Sequence, residues 1–321
     1  MRFSNKQDVP TLKLIIEESF FQAEERDGYR VPPEMKKVWA VELDLLNEFA
    51  RVCKEHDLKW FAHAGTLLGA IRHQGFIPWD DDIDVTMPRA DYIQLCNVAP
   101  KAFKYPYFFQ TDDTDLFFCR SFARLRNSDT TAIQVWEKSM NFPYNQGVFI
   151  DIFPYDNLPD NDVELGEEIR KMEALINSAW QFRNMVHFYH PKTGKGLKKR
   201  ISYYLKHLWF KYIDPKGGDY LKFLQQHTAL ATSHNDEDTQ RVGEMIIPPF
   251  GRHIWKKEWV EETISVPFEM ITIQVPTHYE ECLKIAFGED WRTPRQIGNY
   301  HGQILFDVDR PYTHYLNQNH S

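Results

Sequence analysis

The sequence predicts an α+β fold, a mixed β-sheet flanked by helices and broken by a helical insertion. Three observations carry this reading. Residues 34–56 place Val38, Val41, Leu45, Phe49 and Val52 on one helical stripe. Residues 80–87 alternate acid and apolar side chains at the period of a strand, just after a glycine turn and a short apolar helix pattern. Residues 160–241 then change to long helical patterns, and strand-like runs return in residues 242–321. The chain divides accordingly into a lead-in (1–36), a core (37–159), the insertion (160–241) and a C-terminal region that completes the core (242–321).

The lead-in is polar and closes at Pro32-Pro33, before the first helix. Lys59 to Ala62 reads as the first strand, running into a turn at Gly65-Thr66 and a short helix through Ile71. Glycine there lets the backbone approach a phosphate, and the free N–H groups of a first helical turn suit an anion. Arg72 and His73 follow, either as further phosphate binders or as packing at the helix end.

Next comes the densest signal, Asp80, Asp81, Asp82 and Asp84, flanked by Trp79, Ile83 and Val85. Solvated acid runs sit among Lys, Ser and Gly, whereas this one opens an apolar strand, Ile83 to Met87. In an extended chain Asp80, Asp82 and Asp84 share one face, with Asp81 opposite. Carboxylates so close repel one another until a cation neutralises them, and hard oxygen donors point to Mg²⁺ or Mn²⁺. The competing reading is an exposed acidic turn after Pro78.

Arg89 to Val98 reads as a second helix, with Pro100 to Pro106 ending it. Tyr107–Gln110, Phe117–Arg124 and Thr130–Trp136 read as strands, with Arg120, Arg124 and Arg126 interleaved with apolar residues. Arg126 is placed either on a diphosphate or in a surface ion pair. Asp151 stands in the apolar run Gly147 to Pro154, where a charge is costly unless it is paired or bound to metal. It either completes the acidic set or caps the next turn. Asp156 reads as a turn residue.

Glu164 to Phe188 is a long amphipathic helix pattern. Leu197 to Tyr212 mixes Lys198, Lys199, Arg200, Lys206 and Lys211 with Tyr203, Tyr204, Leu208, Trp209 and Phe210. Such a segment fits the anionic surface of a membrane, or a hairpin packed on the core with a cationic solvated face. Met245–Phe250, Ser265–Phe268 and Ile271–Val275 are strand-like, and Tyr279–Phe287 is a helix stopped by Gly288. His301, in Gly298 to Gly302, borders the cleft or lies on the surface.

With 38 Lys plus Arg against 46 Asp plus Glu, the net charge is −8, which argues against a general nucleic-acid binder. The 42% hydrophobic and 26% charged content is that of an ordinary globular protein. Met1 to Asp8 lacks the apolar core of a signal peptide, and no apolar run approaches a membrane span. The four cysteines, Cys53, Cys96, Cys119 and Cys282, include no CxxC pair and read as buried thiols. The expected place is the cytoplasm, with peripheral contact on the inner face of the membrane through residues 197–212.

Gly65-Thr66 with Asp82-Ile83-Asp84-Val85, 15 residues lying between Thr66 and Asp82, resembles the signature of the nucleotidyltransferase superfamily. The longer string Gly65 to Val85, with Trp79-Asp-Asp-Asp-Ile-Asp84 at its end, closely resembles the LicD branch. That branch includes bacterial phosphocholine transferases and the related domains of fukutin and fukutin-related protein. Weaker likenesses run through Arg126, Asp151, Phe287 to Pro294 and Pro311-Tyr312. The zinc-binding insert of fukutin-related protein has no counterpart here.

The resemblance implies a metal-dependent transfer of phosphocholine from CDP-choline, or of the phospho-alcohol of another CDP-alcohol, to a hydroxyl on a lipid-linked glycan acceptor, with release of CMP. The acceptor is then a cell-envelope precursor of the teichoic-acid or lipopolysaccharide kind. It implies Asp80, Asp82, Asp84 and Asp151 as metal ligands, one of them also taking the hydroxyl proton. Gly65, Thr66, Arg72, His73 and Arg126 are the phosphate binders. Trp79, Tyr144, Trp291 and His301 are choline or acceptor contacts, since aromatic faces hold quaternary ammonium groups. Transfer of ribitol phosphate, nucleotidyl transfer from a nucleoside triphosphate, and a non-catalytic glycan-binding scaffold stay open.

Overall fold

The structure, a computed structural model, describes residues 12–138, 140, 142–188, 196–215, 219–246, 253–296 and 304–316. The polar lead-in contains a hairpin that the sequence reading passed over, β1 (Glu24–Arg26) and β2 (Tyr29–Val31). Asp27-Gly28 turns it with positive φ at both residues, 49° and 71°, as a tight hairpin requires. Arg26 ties it to the far end of the chain by donating to both carboxylate oxygens of Glu269, at 2.6 and 2.9 Å. Helix α1 (Pro33–Glu55) has Pro at its first position and buries the expected stripe together with Trp39.

β3 (Phe61–Ala62), α2 (Ala64–His73), β4 (Asp84–Pro88) and α3 (Arg89–Ala102) follow. α3 runs four residues past the expected Val98 and stops at Ala102, within the Pro100 to Pro106 stretch expected to end it. β5 (Tyr107–Gln110), β6 (Ala123–Asn127), β7 (Thr131–Gln134), the short α4 (Val135–Lys138) and β8 (Val148–Leu158) come next. The strand expected over Phe117–Arg124 begins only at Ala123. Phe117, Cys119 and Ser121 take positive φ, and Asp112 accepts the N–H groups of Arg120 and Ser121 at 2.9 and 2.8 Å, a loop geometry that a strand cannot adopt.

The remaining elements are α5 (Asp162–His187), α6 (Leu197–Leu208), α7 (Leu221–Ala231), β9 (Arg241–Gly243), β10 (Ile254–Lys256), α8 (Lys257–Val260), β11 (Thr263–Phe268), β12 (Ile271–Pro276), α9 (Tyr279–Phe287), β13 (Ile304–Asp307) and α10 (Thr313–Leu316). Met245 and Ile246 lie outside any strand, and the rest of the strand expected there falls outside the described residues.

Among the described residues the main sheet has seven strands, with β8 as its spine. β8 pairs in parallel with β4, from Asp84 opposite Asp151 to Pro88 opposite Tyr155. It pairs antiparallel with β6, and its last three residues pair with β9. Asp156 therefore lies in a strand and not in a turn, and Arg89 binds its carboxylate at 2.9 and 2.5 Å. This α+β arrangement is the expected one.

The helices of residues 160–241 lean on the core through the 117–119 loop. Trp180 donates its indole N–H to the Cys119 carbonyl at 2.8 Å, and buried Arg183 donates to the carbonyls of Phe117 and Phe118 at 2.9 and 3.2 Å. In contrast, α6 buries none of its residues and exposes Leu197, Ile201, Tyr204 and Leu205. No helix among the described residues is long and apolar enough to cross a membrane. All four cysteines are free thiols, and three of them are buried.

Candidate active site

The sheet brings charge together by register. Asp84 on β4 and Arg124 on β6 both stand opposite Asp151 on β8. Arg124 donates to the two oxygens of Asp151 at 2.5 and 3.1 Å, and its guanidinium lies 3.7 Å above the Phe149 ring. Asp151 is thus beside the acidic run in the sheet, with its carboxylate held by Arg124.

The acidic run is fixed from both ends. The Trp39 indole donates to the Asp80 carbonyl at 3.0 Å, and Asp80 N–H bonds Ile77 O at 2.9 Å. At the other end the Thr66 hydroxyl accepts Asp84 N–H at 2.8 Å, while the Asp84 carbonyl accepts His63 N–H at 2.9 Å. Thr66 therefore clamps the acidic strand to the first turn of α2. A Cβ at Gly65 would lie 2.7 Å from Asp80 Oδ2, so only glycine lets the helix start approach this carboxylate so closely.

Asp80, Asp82 and Asp84 line a cavity of about 560 Å³ whose walls include Gly65, Arg72, Trp79, Trp291, Arg295 and His253. Oxygens of Asp80, Asp81 and Asp82 come within 4.8 Å of one another. Beneath them lies Glu42 of α1, 1% exposed, which the sequence reading did not single out. Burial first, then the negative charge of Asp82, Asp81, Asp80 and Asp84, holds its carboxyl well above the usual carboxylate range. The clue was available: Glu42 falls on the buried stripe of α1, four residues after Val38.

Two comparisons give these residues a family. The model for "LicD/FKTN/FKRP, nucleotidyltransferase domain" matches residues 57–191. The lipopolysaccharide cholinephosphotransferase LicD of Haemophilus influenzae is 34% identical over 256 residues, covering 78% of this chain and 89% of that protein. The chain belongs to the LicD family. Shorter matches, 39% and 37% identical over 57 residues, join it to uncharacterised proteins of Rickettsia prowazekii and Rickettsia typhi. They cover 18% of this chain, and 21% and 18% of those proteins.

As a LicD-family member the chain is an enzyme of the phosphotransferase kind, built on a nucleotidyltransferase-type domain. The other expected LicD site residues fall into two groups. Arg72 lines the cavity and donates to the Trp291 carbonyl at 2.9 Å; burial lowers its pKa. Trp79 and Trp291 form aromatic walls, and the Arg292 guanidinium stacks 4.2 Å from the Trp291 ring.

Three others point elsewhere. Arg126 is neither on the cavity wall nor on the surface. It is 2% exposed, donates to Gln110 Oε1 and to the Gly147 carbonyl, and burial reinforced by Arg124 pushes its pKa down to about 9. Tyr144 is buried and stacked on Phe142, away from the cavity. His73 bonds Asp27 of the β1–β2 turn at 2.7 Å. His301 lies outside the described residues.

A histidine pair beside the acids also went unnoticed in the sequence. His63 caps the start of α2 and its ring lies 4.4 Å from that of His253, centroid to centroid. Burial first, with help from His253, holds His63 well below the ordinary histidine pKa.

Proposed function

We propose that this protein transfers phosphocholine from CDP-choline to a hydroxyl of a cell-envelope glycan of the lipopolysaccharide kind, releasing CMP. The observation that carries the reading is the convergence of Asp80, Asp82 and Asp84 on one cavity beside the N-terminus of α2. The relative from Haemophilus influenzae, a lipopolysaccharide cholinephosphotransferase, supplies the substrate class. Transfer of ribitol phosphate or of a nucleotidyl group has no comparable support.

In this reading the acceptor oxygen forms a bond to the phosphorus that bears choline. The bond from that phosphorus to the CMP oxygen breaks, and the hydroxyl proton passes to a carboxylate. The first-turn N–H groups of α2, at Ala64, Gly65 and Thr66, lack partners within the helix and face an anion favourably. Arg72 and Arg295 add positive charge to the walls. Trp79 and Trp291 offer aromatic faces to the choline cation.

The donor set suits magnesium or manganese. It consists of carboxylate oxygens, hard donors gathered closely enough that their charge adds to burial in raising the Glu42 carboxyl pKa. Asp80, Asp82 and Asp84 would hold the ion, with Asp151 alongside as the fourth carboxylate and Arg124 as its counter-charge. When bound, the ion neutralises charge on the diphosphate.

α6 supports a peripheral contact with an anionic membrane on the cytoplasmic side. Its exposed Leu197, Ile201, Tyr204 and Leu205 accompany Lys198, Lys199, Arg200 and Lys206, the pairing an acidic bilayer surface attracts. Such a contact would hold the enzyme beside a lipid-linked acceptor.

The deciding assay follows CMP formation from CDP-choline with Mg²⁺ and a lipid-linked glycan fraction. Acceptor-dependent CMP release that disappears in Asp82→Ala and Asp84→Ala is expected. Wild-type protein that releases no CMP, or releases it equally in both variants, rules the reading out.

A further inference from the structure

We propose that His63, Glu244 and His253 form a second metal site, for zinc or a similar late divalent ion, distinct from the aspartate set. The three come from separate stretches of chain. His63 immediately precedes α2, Glu244 follows β9, and His253 precedes β10. The β9–β10 ladder sets the last two side by side, because Gly243 pairs with Ile254 and Glu244 N–H bonds the His253 carbonyl at 3.1 Å. One ligand atom from each residue lies within 4.8 Å of the other two, and His63 Nε2 is 4.0 Å from Glu244 Oε2.

The chemistry of the donors selects the ion. Two imidazoles and one carboxylate are borderline-soft to hard ligands, a set that binds zinc well and magnesium poorly. Zinc–ligand bonds of about 2.0–2.1 Å put tetrahedral ligand atoms roughly 3.4 Å apart. The observed 4.0 Å between His63 and Glu244 is a little wider, and small side-chain rotations close it.

The surroundings are also those of a built site. Glu244 is fully buried, its second oxygen accepting Ile246 N–H, and His63 is 3% exposed. Phe153 and Trp255 stand 5.6 Å from the His63 ring and limit access of water. An apolar shell of this kind strengthens metal–ligand interactions. His253 also lines the cavity that holds Asp80, Asp82 and Asp84, which leaves room on that side for a fourth ligand.

Bound zinc would pin the β9–β10 ladder to the residue that precedes the Gly65-Thr66 turn. It would thereby fix one wall of the cavity without entering the acidic set. This role does not depend on which phospho-alcohol is transferred.

The test measures zinc alone. Purified full-length protein is stripped with chelator, reloaded with zinc, and its bound metal and affinity are determined by elemental analysis and indicator competition. About one equivalent is expected in wild type, with binding weakened by about 100-fold or more in His253→Ala and in Glu244→Gln, at least the loss seen when only a metal's outer partners are removed. Asp82→Asn and Glu168→Gln, the latter altering the separate Glu164–Glu168–His234 group, should keep the equivalent. His253 is only partly buried, so its variant stays folded even if Glu244→Gln does not. Cobalt substitution adds a visible spectrum that His253→Ala should abolish. No zinc in wild type, undiminished zinc in His253→Ala, or loss only in Asp82→Asn or Glu168→Gln would each overturn the proposal.

Discussion

Asp151 and Arg124 stand opposite each other on β8 and β6, joined by two hydrogen bonds of 2.5 and 3.1 Å, with both side chains buried. Asp84, the next residue across the sheet, belongs to a cluster of like charges. Two neighbouring aspartates are thus held by opposite electrostatics, and their removal should have opposite effects on stability. Asp151→Ala leaves Arg124 buried without its counter-charge and should cost about 3–5 kcal/mol. Asp84→Ala relieves repulsion within the acidic cluster and should leave metal-free stability unchanged or raised. Denaturant unfolding of both variants without divalent ions checks this; equal losses would contradict it.

Gly65→Ala isolates the approach of α2 to Asp80. The added methyl meets Asp80 Oδ2 at 2.7 Å, and the carboxylate must move. A displacement near 1 Å at a reacting site costs about 100-fold in rate. The melting temperature should barely change while CMP formation falls by that order. An active Gly65→Ala enzyme would show that Asp80 need not be positioned so closely.

Arg126 and Arg72 should separate folding from binding. Arg126→Ala strands Gln110 and the Gly147 carbonyl in the interior, at an expected cost of about 3 kcal/mol in unfolding free energy. Arg72→Ala gives up one bond to the Trp291 carbonyl at the cavity wall and should raise KM for CDP-choline with little loss of stability. Steady-state kinetics and thermal melts on both proteins distinguish the roles.

His227 makes the fold sensitive to mild acid. Burial pushes its pKa down to about 4, and a ring nitrogen bonds the Met245 carbonyl at 3.1 Å. The unfolded chain takes up the proton near pH 6.5 and the folded one only near pH 4, so stability falls as pH drops through that window. Between about pH 7.5 and pH 5 the loss from this residue is about 2 kcal/mol. His227→Gln should flatten that part of the stability profile, and an unchanged profile would assign the acid sensitivity to other groups.

The α6 surface can be tested apart from catalysis. Wild-type protein should sediment with vesicles rich in anionic lipid and be released by salt, since surface attraction to basic side chains is screened. Ile201→Asp with Leu205→Asp should abolish sedimentation while leaving turnover of a soluble acceptor intact. Equal sedimentation of variant and wild type would remove α6 from the contact.

How much of this was legible in the sequence follows from how local each feature is. Gly65, Thr66 and the acids lie within 20 residues of one another, so their proximity was legible; but β4 begins only at Asp84, and Asp81, expected on the opposite face, groups with Asp80 and Asp82. Arg124 and Arg126 differ by one strand period and so share a face, and choosing between them required the register. Arg124 falls opposite Asp151 and Arg126 opposite Phe149, a long-range fact set by β6 meeting β8. Glu244 and His253 meet His63 only after the chain has passed through the helices of residues 160–241. The β1–β2 hairpin was readable from Asp27-Gly28, but its short, charged strands masked it. The loop at 117–121 depends on Asp112, Trp180 and Arg183, so no local pattern announced it.

Trp39 lies stacked at 4.5 Å on Phe76 and donates its indole N–H to the Asp80 carbonyl, while Trp79 and Trp291 stand in the cavity walls. The site therefore carries its own fluorophores, one wired to the backbone of the acidic run and two facing whatever enters. Occupancy of the cavity can be read from ultraviolet emission on an unlabelled protein, before any bond is made or broken.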